Sequence, residues 1–344
     1  MSNRLLVMAP NWLGDAVMAL PALADLRRHY ASAHLAVAAR PSVAPLFTMV
    51  EGVDEVMTLP GGGGWRAFRG WRRDAEQLAA RGFDTAILFP NSFAAAWIAR
   101  AAGIPERWGY ATDMRGSMLT RPVLPSRSAD ETHQHAYYQR LTRLLDVDTG
   151  PAFACVRPDT QHARQVLREI GLDVDEPFVV FAPGAAYGRA KQWLPARFAE
   201  LATLLINERG WTVLMVGAAI DRDVCEHIAS LMPRTGTRIN RLIDFSGRTD
   251  LPTLAGVLSQ ARAVVSNDSG AMHLAAAVGA QVIALFGPTD ERRTAPLAAG
   301  PGAPVPVVVT HEVFCRPCML RECPIDHRCM RKIAARDVLK ELGS

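Results

Sequence analysis

The sequence predicts an α/β protein made of two doubly wound, Rossmann-like domains. Apolar runs of strand length alternate with helical stretches along the whole chain, which is the pattern of a parallel sheet covered by helices. The length of 344 residues suits two domains that each bury a core of their own. The stretch 264–290 contains a strand, a polar turn, an apolar helix, a glycine, a second strand and a second polar turn. It therefore predicts a complete βαβ unit.

The predicted elements follow each other at regular intervals. In the first half, strands are expected at 5–8, 34–38, 55–59 and 85–89, with a helix over 16–30 after the first of them. In the second half, strands are expected at 178–182, 212–216, 263–266 and 282–286, and an apolar helix over 272–278 is ended by Gly279. Residues 172–177 are polar and end in Pro177, as a linker does. We therefore expect domains over 1–172 and 173–344, with a ligand site in the cleft between them.

Composition excludes several classes of protein. The hydrophobic fraction of 49% and the charged fraction of 21% are those of a globular protein, and no apolar run approaches the roughly 18 residues that span a bilayer. A net charge of +4 is too small to argue for a nucleic-acid partner. The short apolar run at the start leads directly to Asn11 and Asp15, which indicates a first strand and its loop instead of a signal peptide. We expect a cytoplasmic protein.

Two polar loops in the stretch 264–290 form the first candidate site. The residues N-D-S-G at 267–270 and G-P-T-D at 287–290 follow two successive strands, and open α/β sheets bind ligands at the carboxyl ends of such strands. A buried helix that begins at the Ser-Gly turn presents free N–H groups and a positive dipole end, which suits a phosphate. The alternative is a well-capped βαβ unit without a ligand. Asp268 and His273 favour the site, because capping alone does not need them.

Asp15 and Lys191 are the two candidate catalytic residues. Asp15 falls near the start of the helix that follows the first strand, where it is either a first-turn acid that contributes about 1 kcal/mol or a general base. Lys191 is the first lysine of the chain and follows the small-residue loop that contains Gly184 and Gly188, whose backbone can approach a ligand closely. Its ammonium group could neutralise a diphosphate, or it could be an ordinary surface lysine.

Three weaker patterns compete with this interpretation. The spacing G-x-G-x-x-A at 62–67 fits a dinucleotide fingerprint and would suggest a nicotinamide oxidoreductase, but its acid, Asp84, precedes its strand. D-x-D occurs at 146–148 and 173–175, as in metal-dependent sugar transferases, in connecting loops. Aromatic and arginine residues alternate at 65–73, which suits either a membrane surface or a solvated basic helix. P-loop and nucleophile-elbow motifs are missing from the sequence.

Four of the six cysteines are grouped near the C-terminus. They are Cys315, Cys318, Cys323 and Cys329, with the spacing C-x2-C-x4-C-x5-C. In a cytoplasmic protein such a quartet is either reduced or bound to a metal, since disulfides are rare there. A bound metal would be a structural Zn or Fe that fixes a loop, with no catalytic role.

With these features placed, the chain resembles the ADP-heptose:lipopolysaccharide heptosyltransferases, glycosyltransferase family 9, and within them the heptosyltransferase II group. The resemblance runs nearly end to end. Its markers are N-W-L-G-D at 11–15, P-N-S-F at 90–93, A-G-I-P-E-R at 102–107, P-G-A at 183–185 with Lys191 and Trp193, and N-D-S-G-x-M-H at 267–273.

The resemblance implies a GT-B architecture, with the acceptor on the first domain and the nucleotide sugar on the second. It implies an inverting transferase that needs no metal and moves L-glycero-D-manno-heptose from ADP-heptose to the first heptose of the lipopolysaccharide inner core, on a heptosyl-Kdo-lipid A acceptor. Peripheral contact with the cytoplasmic face of the inner membrane is expected, in line with the segment 65–73, and no nucleic-acid partner is expected. The alternatives are another nucleotide-sugar transferase or an epimerase on the GT-B fold, or a nucleotide-binding module without activity.

The family's roles can be carried over to matching positions. Asp15 matches the proposed general base, Lys191 would meet the diphosphate, and Asp268 matches a carboxylate that holds sugar hydroxyls. The donor site is expected to comprise Gly184, Tyr187, Lys191, Asp268, Ser269, Gly270 and His273. The acceptor site is expected to comprise Asn11, Gly14, Asn91 and Ser92. Relatives that add the first heptose use a glutamate on the ribose, in a loop that is G-A-A-I-D at 217–221 here.

Overall fold

The computed structural model describes residues 4–61, 67–125, 133–233 and 239–343. Contacts divide the chain into two compact units, Met1–Ala154 and Cys155–Ser344. The predicted fingerprint glycines at 62 and 64, together with the aromatic and arginine at 65 and 66, lie outside the described residues. No helix in the described ranges is long and apolar enough to cross a membrane.

The first unit is a parallel sheet covered by helices. Its described strands are β1 (Arg4–Met8), β2 (His34–Ala39), β3 (Glu55–Thr58), β4 (Thr85–Leu88), β5 (Glu106–Tyr110) and β6 (Arg121–Val123), in the order β3-β2-β1-β4-β5-β6. Its described helices are α1 (Leu13–Met18), α2 (Leu20–His29), α3 (Ala44–Phe47), α4 (Ala67–Ala79), α5 (Phe93–Ala101) and α6 (Gln134–Arg143). The central strands are buried apolar runs because helices cover both faces of the sheet.

The second unit repeats this topology. Its described strands are β7 (Phe178–Ala182), β8 (Thr212–Met215), β9 (Leu242–Asp244), β10 (Ala263–Asn267), β11 (Val282–Phe286) and β12 (Val307–Thr310), in the order β12-β11-β10-β7-β8-β9. Its described helices are α7 (Thr160–Glu169), α8 (Pro195–Arg209), α9 (Arg222–Ser230), α10 (Leu251–Gln260), α11 (Gly270–Ala277), α12 (Glu291–Thr294), α13 (Arg328–Arg331) and α14 (Ala335–Glu341).

Each sheet has one point where the strand order reverses, and the candidate residues lie there. In the first unit the chain starts at β1 and later returns to its other side as β4, so the loops after β1 and β4 are neighbours. In the second unit β7 and β10 are related in the same way. Asp15 follows β1, Asn91 follows β4, Lys191 follows β7 and Asp268 follows β10. Such reversal points are where doubly wound sheets bind ligands.

Two predicted boundaries need correction. The units divide after Ala154, whereas the sequence suggested 172. Helix α7 belongs to the second unit because it packs against α10, where a Cβ on Gly256 would lie 2.7 Å from the Cβ of Ala163. The predicted helix over 16–30 is two helices, α1 and α2. They are separated at Ala19, and Pro21 in the first turn of α2 has no N–H for a continuous helix.

The apolar helix of the second half is also displaced from its prediction. It begins at Gly270 and ends at Ala277, and Gly279 adopts a φ of 83° in the turn that follows. The predicted capping turn gives no side-chain cap, because Ser269 occupies the N-cap position without bonding a first-turn N–H group. Its hydroxyl lies 3.3 Å from that of Ser266 instead.

Candidate functional sites in the two units

Asn267 fixes the geometry of the loops in the second unit. Its side chain is fully buried at the end of β10. The Nδ2 group donates to the Pro183 carbonyl at 2.7 Å, and Oδ1 accepts from the Trp193 backbone N–H at 2.9 Å. One amide therefore holds both ends of the 183–193 loop that follows β7. This loop carries Lys191, so Asn267 determines where the ammonium group can lie.

Lys191 and Asp268 form a buried ion pair. The Lys191 Nζ lies 2.6 Å from Asp268 Oδ2, and the two side chains are 13% and 5% exposed. The Thr289 hydroxyl, from the loop after β11, donates to the same carboxylate oxygen at 2.7 Å. The two polar loops that the sequence predicted at one sheet edge, together with the loop that carries Lys191, thus meet at a single oxygen atom. Burial makes this electrostatic contact stronger than one in water and makes each charge dependent on the other.

The amino end of α11 starts beside Asp268. Its first residue is Gly270, and the first-turn N–H groups receive no side-chain cap among the described residues. Because the helix dipole and free N–H groups favour negative charge, this end can take an anion. His273, which was expected in the donor site, is 3% exposed on the same helix.

Tyr187, on the β7 loop, borders the ion pair, and Gly184 on the same loop lies against Asp221. The Tyr187 ring lies below Lys191 Nζ, 4.7 Å from it, and its hydroxyl donates to the Met319 carbonyl at 2.9 Å. A Cβ on Gly184 would lie 2.5 Å from the carboxylate of Asp221. The glycine therefore leaves the space that Asp221 fills.

Asp221 is a partly buried carboxyl at the carboxyl edge of the second sheet. Its Oδ2 accepts from the Ala218 N–H at 2.9 Å, and burial raises the pKa of the Asp221 carboxyl above its usual range. The sequence marked 217–221 only as the loop where relatives have a glutamate. The Asp221 side chain lies against Gly184 and Gly217, a contact that the sequence spacing of these residues does not predict.

The cysteine-rich residues 315–329, here called the bracing segment, contact two of these loops. On the β11 loop, Met319 N–H donates to the Pro288 carbonyl at 2.9 Å and Arg316 Nε donates to the Gly287 carbonyl at 2.9 Å. On the β7 loop, Ala190 N–H donates to the Arg321 carbonyl at 2.9 Å, and the Ala190 carbonyl lies 2.7 Å from His327 Nε2. The segment therefore holds the backbone on either side of the Lys191–Asp268 pair.

The four cysteines line one small pocket within the bracing segment. All of them are free thiols, and burial raises the pKa of Cys329. Among the residues that the structure describes, no group of three or more His, Cys, Asp or Glu side chains is arranged to hold a metal ion. The described residues therefore give no support to the candidate structural Zn or Fe. The D-x-D acids lie in exposed contacts instead, with Asp146 paired to Arg121 and Asp175 to Arg164.

In the first unit, Asp15 lies in the first turn of α1, directly after β1. The residue is half-buried, and the N-cap, Trp12, contributes no side-chain hydrogen bond. On α6, burial raises the pKa of the Tyr138 hydroxyl, and the negative charge of Asp15 raises it further. The Asp15 carboxylate and the Tyr138 hydroxyl are therefore electrostatic neighbours.

The loop 90–92 after β4 is held by a buried arginine that the sequence did not reveal. Arg115 is fully buried, its Nε donates to the Tyr110 carbonyl at 2.9 Å, and Nη1 donates to the Pro90 carbonyl. Burial lowers the pKa of Arg115 to about 10. Asn91 donates to the Tyr137 hydroxyl at 2.8 Å. Ser92 caps α5 by accepting from an N–H group at 3.3 Å.

The predicted donor residues lie in the second unit and the predicted acceptor residues lie in the first. Lys191, Asp268 and Tyr187 are in contact, and Ser269 and Gly270 lie next to them in sequence at the start of α11. Asn11 and Ser92 line a common pocket in the first unit. Gly14 lies in α1 beside Asp15.

The chain is similar to known proteins along most of its length. Residues 71–327 match the profile of glycosyltransferase family 9 (heptosyltransferase). The chain is 31% identical over 307 residues to lipooligosaccharide heptosyltransferase 2 of Haemophilus ducreyi, covering 86% of each chain. It is 30% identical over 301 residues to lipopolysaccharide heptosyltransferase 2 of Salmonella typhimurium, again covering 86% of each.

A solved structure shows the same architecture. The E. coli ADP-heptose lps heptosyltransferase II matches with a TM-score of 0.83 and 26% sequence identity, over 98% of this chain and 97% of that one. Together with the two six-stranded parallel sheets, this likeness confirms the predicted GT-B architecture.

We predict that Asn267→Ala loosens the β7 loop. The Pro183 carbonyl and the Trp193 N–H would each lose a buried partner, at roughly 1–3 kcal/mol per group, so the free energy of unfolding should fall by a few kcal/mol. Urea unfolding followed by circular dichroism would measure this free energy of unfolding. The matched control is Asn240→Ala, since Asn240 is exposed. Equal stability of the two variants would contradict the role given to Asn267.

Proposed function

Since this chain belongs to glycosyltransferase family 9, the heptosyltransferases, we propose that it moves L-glycero-D-manno-heptose from ADP-heptose to the first heptose of the lipopolysaccharide inner core. The observation that carries this proposal is the buried Lys191–Asp268 pair beside the uncapped start of α11. It joins a cation, a carboxylate and a helix N-terminus at one sheet edge, which is what a sugar diphosphate requires.

The second unit would hold the donor. Lys191 and the first-turn N–H groups of α11 would bind the diphosphate, with Ser269 and Gly270 at its oxygens. Asp268 would accept hydrogen bonds from heptose hydroxyls, because a carboxylate directed at phosphate would repel it. When the diphosphate approaches, it replaces Asp268 as the counter-charge of Lys191, and Thr289 still donates to the carboxylate.

We propose that Asp221 receives the ribose of ADP. Its carboxylate reaches the space beside Gly184 and Gly217, where a side chain on either glycine would displace it. A carboxylate can accept hydrogen bonds from both hydroxyl groups of a vicinal diol. This assigns the ribose contact to an aspartate in the loop where relatives have a glutamate.

The first unit would hold the acceptor and the base. Asp15 would take the proton from the acceptor hydroxyl while the hydroxyl oxygen attacks the anomeric carbon from the face opposite the diphosphate. The bond from the anomeric carbon to the diphosphate oxygen breaks, ADP departs, and the configuration inverts. Charge develops on the leaving phosphate in an oxocarbenium-like transition state, and Lys191 and the α11 dipole would stabilise it. This reaction needs no divalent metal.

We also propose that α4 contacts the cytoplasmic face of the inner membrane, where the lipid-linked acceptor would be met. Phe68 is 56% exposed and packs against Trp97 at 4.8 Å, and Trp71 lies 6.1 Å from Trp97. Arg69 and Arg72 are exposed on the same helix. Aromatic residues next to arginines suit an anionic lipid surface.

The direct test is a transfer assay. The purified chain is mixed with ADP-heptose and heptosyl-Kdo-lipid A in EDTA. We expect ADP release to equal the heptose gained by the acceptor, at the same rate with and without EDTA, and inverted anomeric configuration by NMR. ADP release without acceptor gain, or strict dependence on Mg²⁺ or Mn²⁺, would reject the proposed reaction. An epimerase would alter the donor sugar without glycosylating the acceptor.

Asp15→Asn should reduce turnover about 10²–10⁴-fold, the usual contribution of a general base. ADP-heptose affinity should stay nearly unchanged, because the donor residues belong to the other unit. Steady-state kinetics would measure the turnover, and calorimetry would measure the affinity for ADP-heptose. Asp148→Asn is the control, as it removes an exposed carboxylate from the same unit. A near-wild-type rate in Asp15→Asn would exclude the general-base role.

Phe68→Glu should weaken sedimentation with vesicles of anionic phospholipid, since a carboxylate would replace an exposed ring beside the arginines. The control is Val305→Glu, which changes a residue that is 76% exposed in the second unit. Activity on a soluble acceptor fragment should not change in either variant. If both variants bind vesicles as the wild type does, α4 is not the contact.

A further inference from the structure

A pocket at the carboxyl edge of the first sheet contains a charged pair that the proposed mechanism does not use. Arg40, from the end of β2, and Asp74, from α4, line it together with Asn11 and Ser92, two of the expected acceptor residues. The remaining lining residues are apolar and come from the ends of β1, β2, β3 and β4 and from α5. An arginine in such a place needs an explanation, since arginines are mostly exposed.

Asp74 and the backbone fix the Arg40 guanidinium. Arg40 Nη1 donates to Asp74 Oδ2 at 3.4 Å and to the Leu59 carbonyl at 3.2 Å. Asp74 is fully buried, and its Oδ1 accepts from the Gly61 N–H at 3.3 Å. A Cβ on Gly61 would lie 1.6 Å from Arg40 Nη1, so the glycine leaves the space that the guanidinium occupies.

Only one edge of the guanidinium is used by these contacts. Within the described ranges, Nε and Nη2 of Arg40 make no hydrogen bond, and the side chain is 29% exposed. A guanidinium held by one nitrogen presents its remaining donors as a fork, which matches the two oxygens of a carboxylate or phosphate.

The local charge also favours an anion. Burial raises the pKa of Asp74, while the Gly61 N–H and the charges of Arg40 and Arg73 act in the opposite direction. With Asp74 ionised, Arg40 is its direct partner, and the exposed Arg73 on α4 adds a second positive charge near the carboxylate. The Arg40 guanidinium lies next to Asn11 and Ser92.

We propose that Arg40, held in place by Asp74, binds an oxyanion of the acceptor, either the carboxylate of an acidic sugar or a phosphate. This inference rests on the proposed function for the identity of the acceptor. The contact would orient the acceptor on the first unit through a group remote from the hydroxyl that reacts. Asp74 is the positioning residue, and Arg40 touches the substrate.

The test measures equilibrium binding of acceptor fragments in the absence of donor. The probes are heptosyl-Kdo, its carboxylate methyl ester, and glucosamine 4-phosphate. Arg40→Gln should lose affinity for the anionic fragment that the wild type binds, on the order of tenfold to a hundredfold, and should bind the methyl ester as the wild type does. Arg100→Gln is the control, because Arg100 is exposed in the last turn of α5, at the opposite end of that helix from Ser92.

The double variant Arg40→Gln with Asp74→Asn separates binding from stability, since it removes both charges and leaves no unpaired buried carboxylate. We expect it to melt near the wild-type temperature and to bind as weakly as Arg40→Gln. The proposal would be overturned if Arg40→Gln, alone or in the double variant, bound the anionic fragment with wild-type affinity. It would also be overturned if the wild-type protein bound neither heptosyl-Kdo nor glucosamine 4-phosphate. Arg40-dependent binding in a protein that transfers no heptose would reject the proposed function and leave this contact standing.

Discussion

The ion pair between Lys191 and Asp268 is the interaction on which the candidate donor site depends. Two opposite charges withdrawn from water are unfavourable unless they are held close together and hydrogen-bonded. Here the distance is 2.6 Å and Thr289 adds a hydrogen bond to the carboxylate. Three loops must therefore be positioned accurately, and the rest of the second unit supplies that positioning. The Asn267 side chain holds the β7 loop by two hydrogen bonds to its backbone. The bracing segment holds the β7 and β11 loops by backbone hydrogen bonds of its own.

The two units use one topology for different chemical tasks. Both sheets reverse their strand order at the same place, and in both the polar residues follow the two strands on either side of the reversal. In the second unit these loops bring a cation and a helix N-terminus together, which suits a diphosphate. In the first unit, Asp15 on α1 follows β1, the buried Arg115 holds the loop after β4, and the Arg40–Asp74 pair lines a pocket at the same sheet edge. That combination suits a polar acceptor with anionic groups.

Much of the fold could be predicted from the sequence, because buried parallel strands are apolar runs of recognisable length. Three of the missed strands are less apolar or very short: β5 begins Glu106-Arg107, β6 contains Pro122, and β9 has three residues. The fourth, β12, is an apolar V-V-V-T run at the edge of the sheet, and nothing in its composition sets it apart from the strands that were predicted. Asp15, Lys191 and Asp268 were singled out by chain position. The direct contact of Lys191 with Asp268 depends on the adjacency of β7 and β10. The roles of Arg40, Arg115 and Asp221 depend on contacts with residues that are distant in the sequence. Sequence patterns do not contain that information.

The role of this ion pair in donor binding is tested most directly with the variants Lys191→Met and Asp268→Asn. Calorimetry on folded protein would measure the affinity of each variant for ADP and for ADP-heptose. One charge-assisted contact to a buried phosphate contributes roughly 1.5–3 kcal/mol, so Lys191→Met should lose that much affinity for both ligands. Asp268→Asn should bind ADP at least as well as the wild type, because its carboxylate no longer competes for Lys191, and should bind ADP-heptose more weakly. Unchanged ADP affinity in Lys191→Met, or equal losses of both ligands in Asp268→Asn, would contradict the central claim that this pair is the donor site.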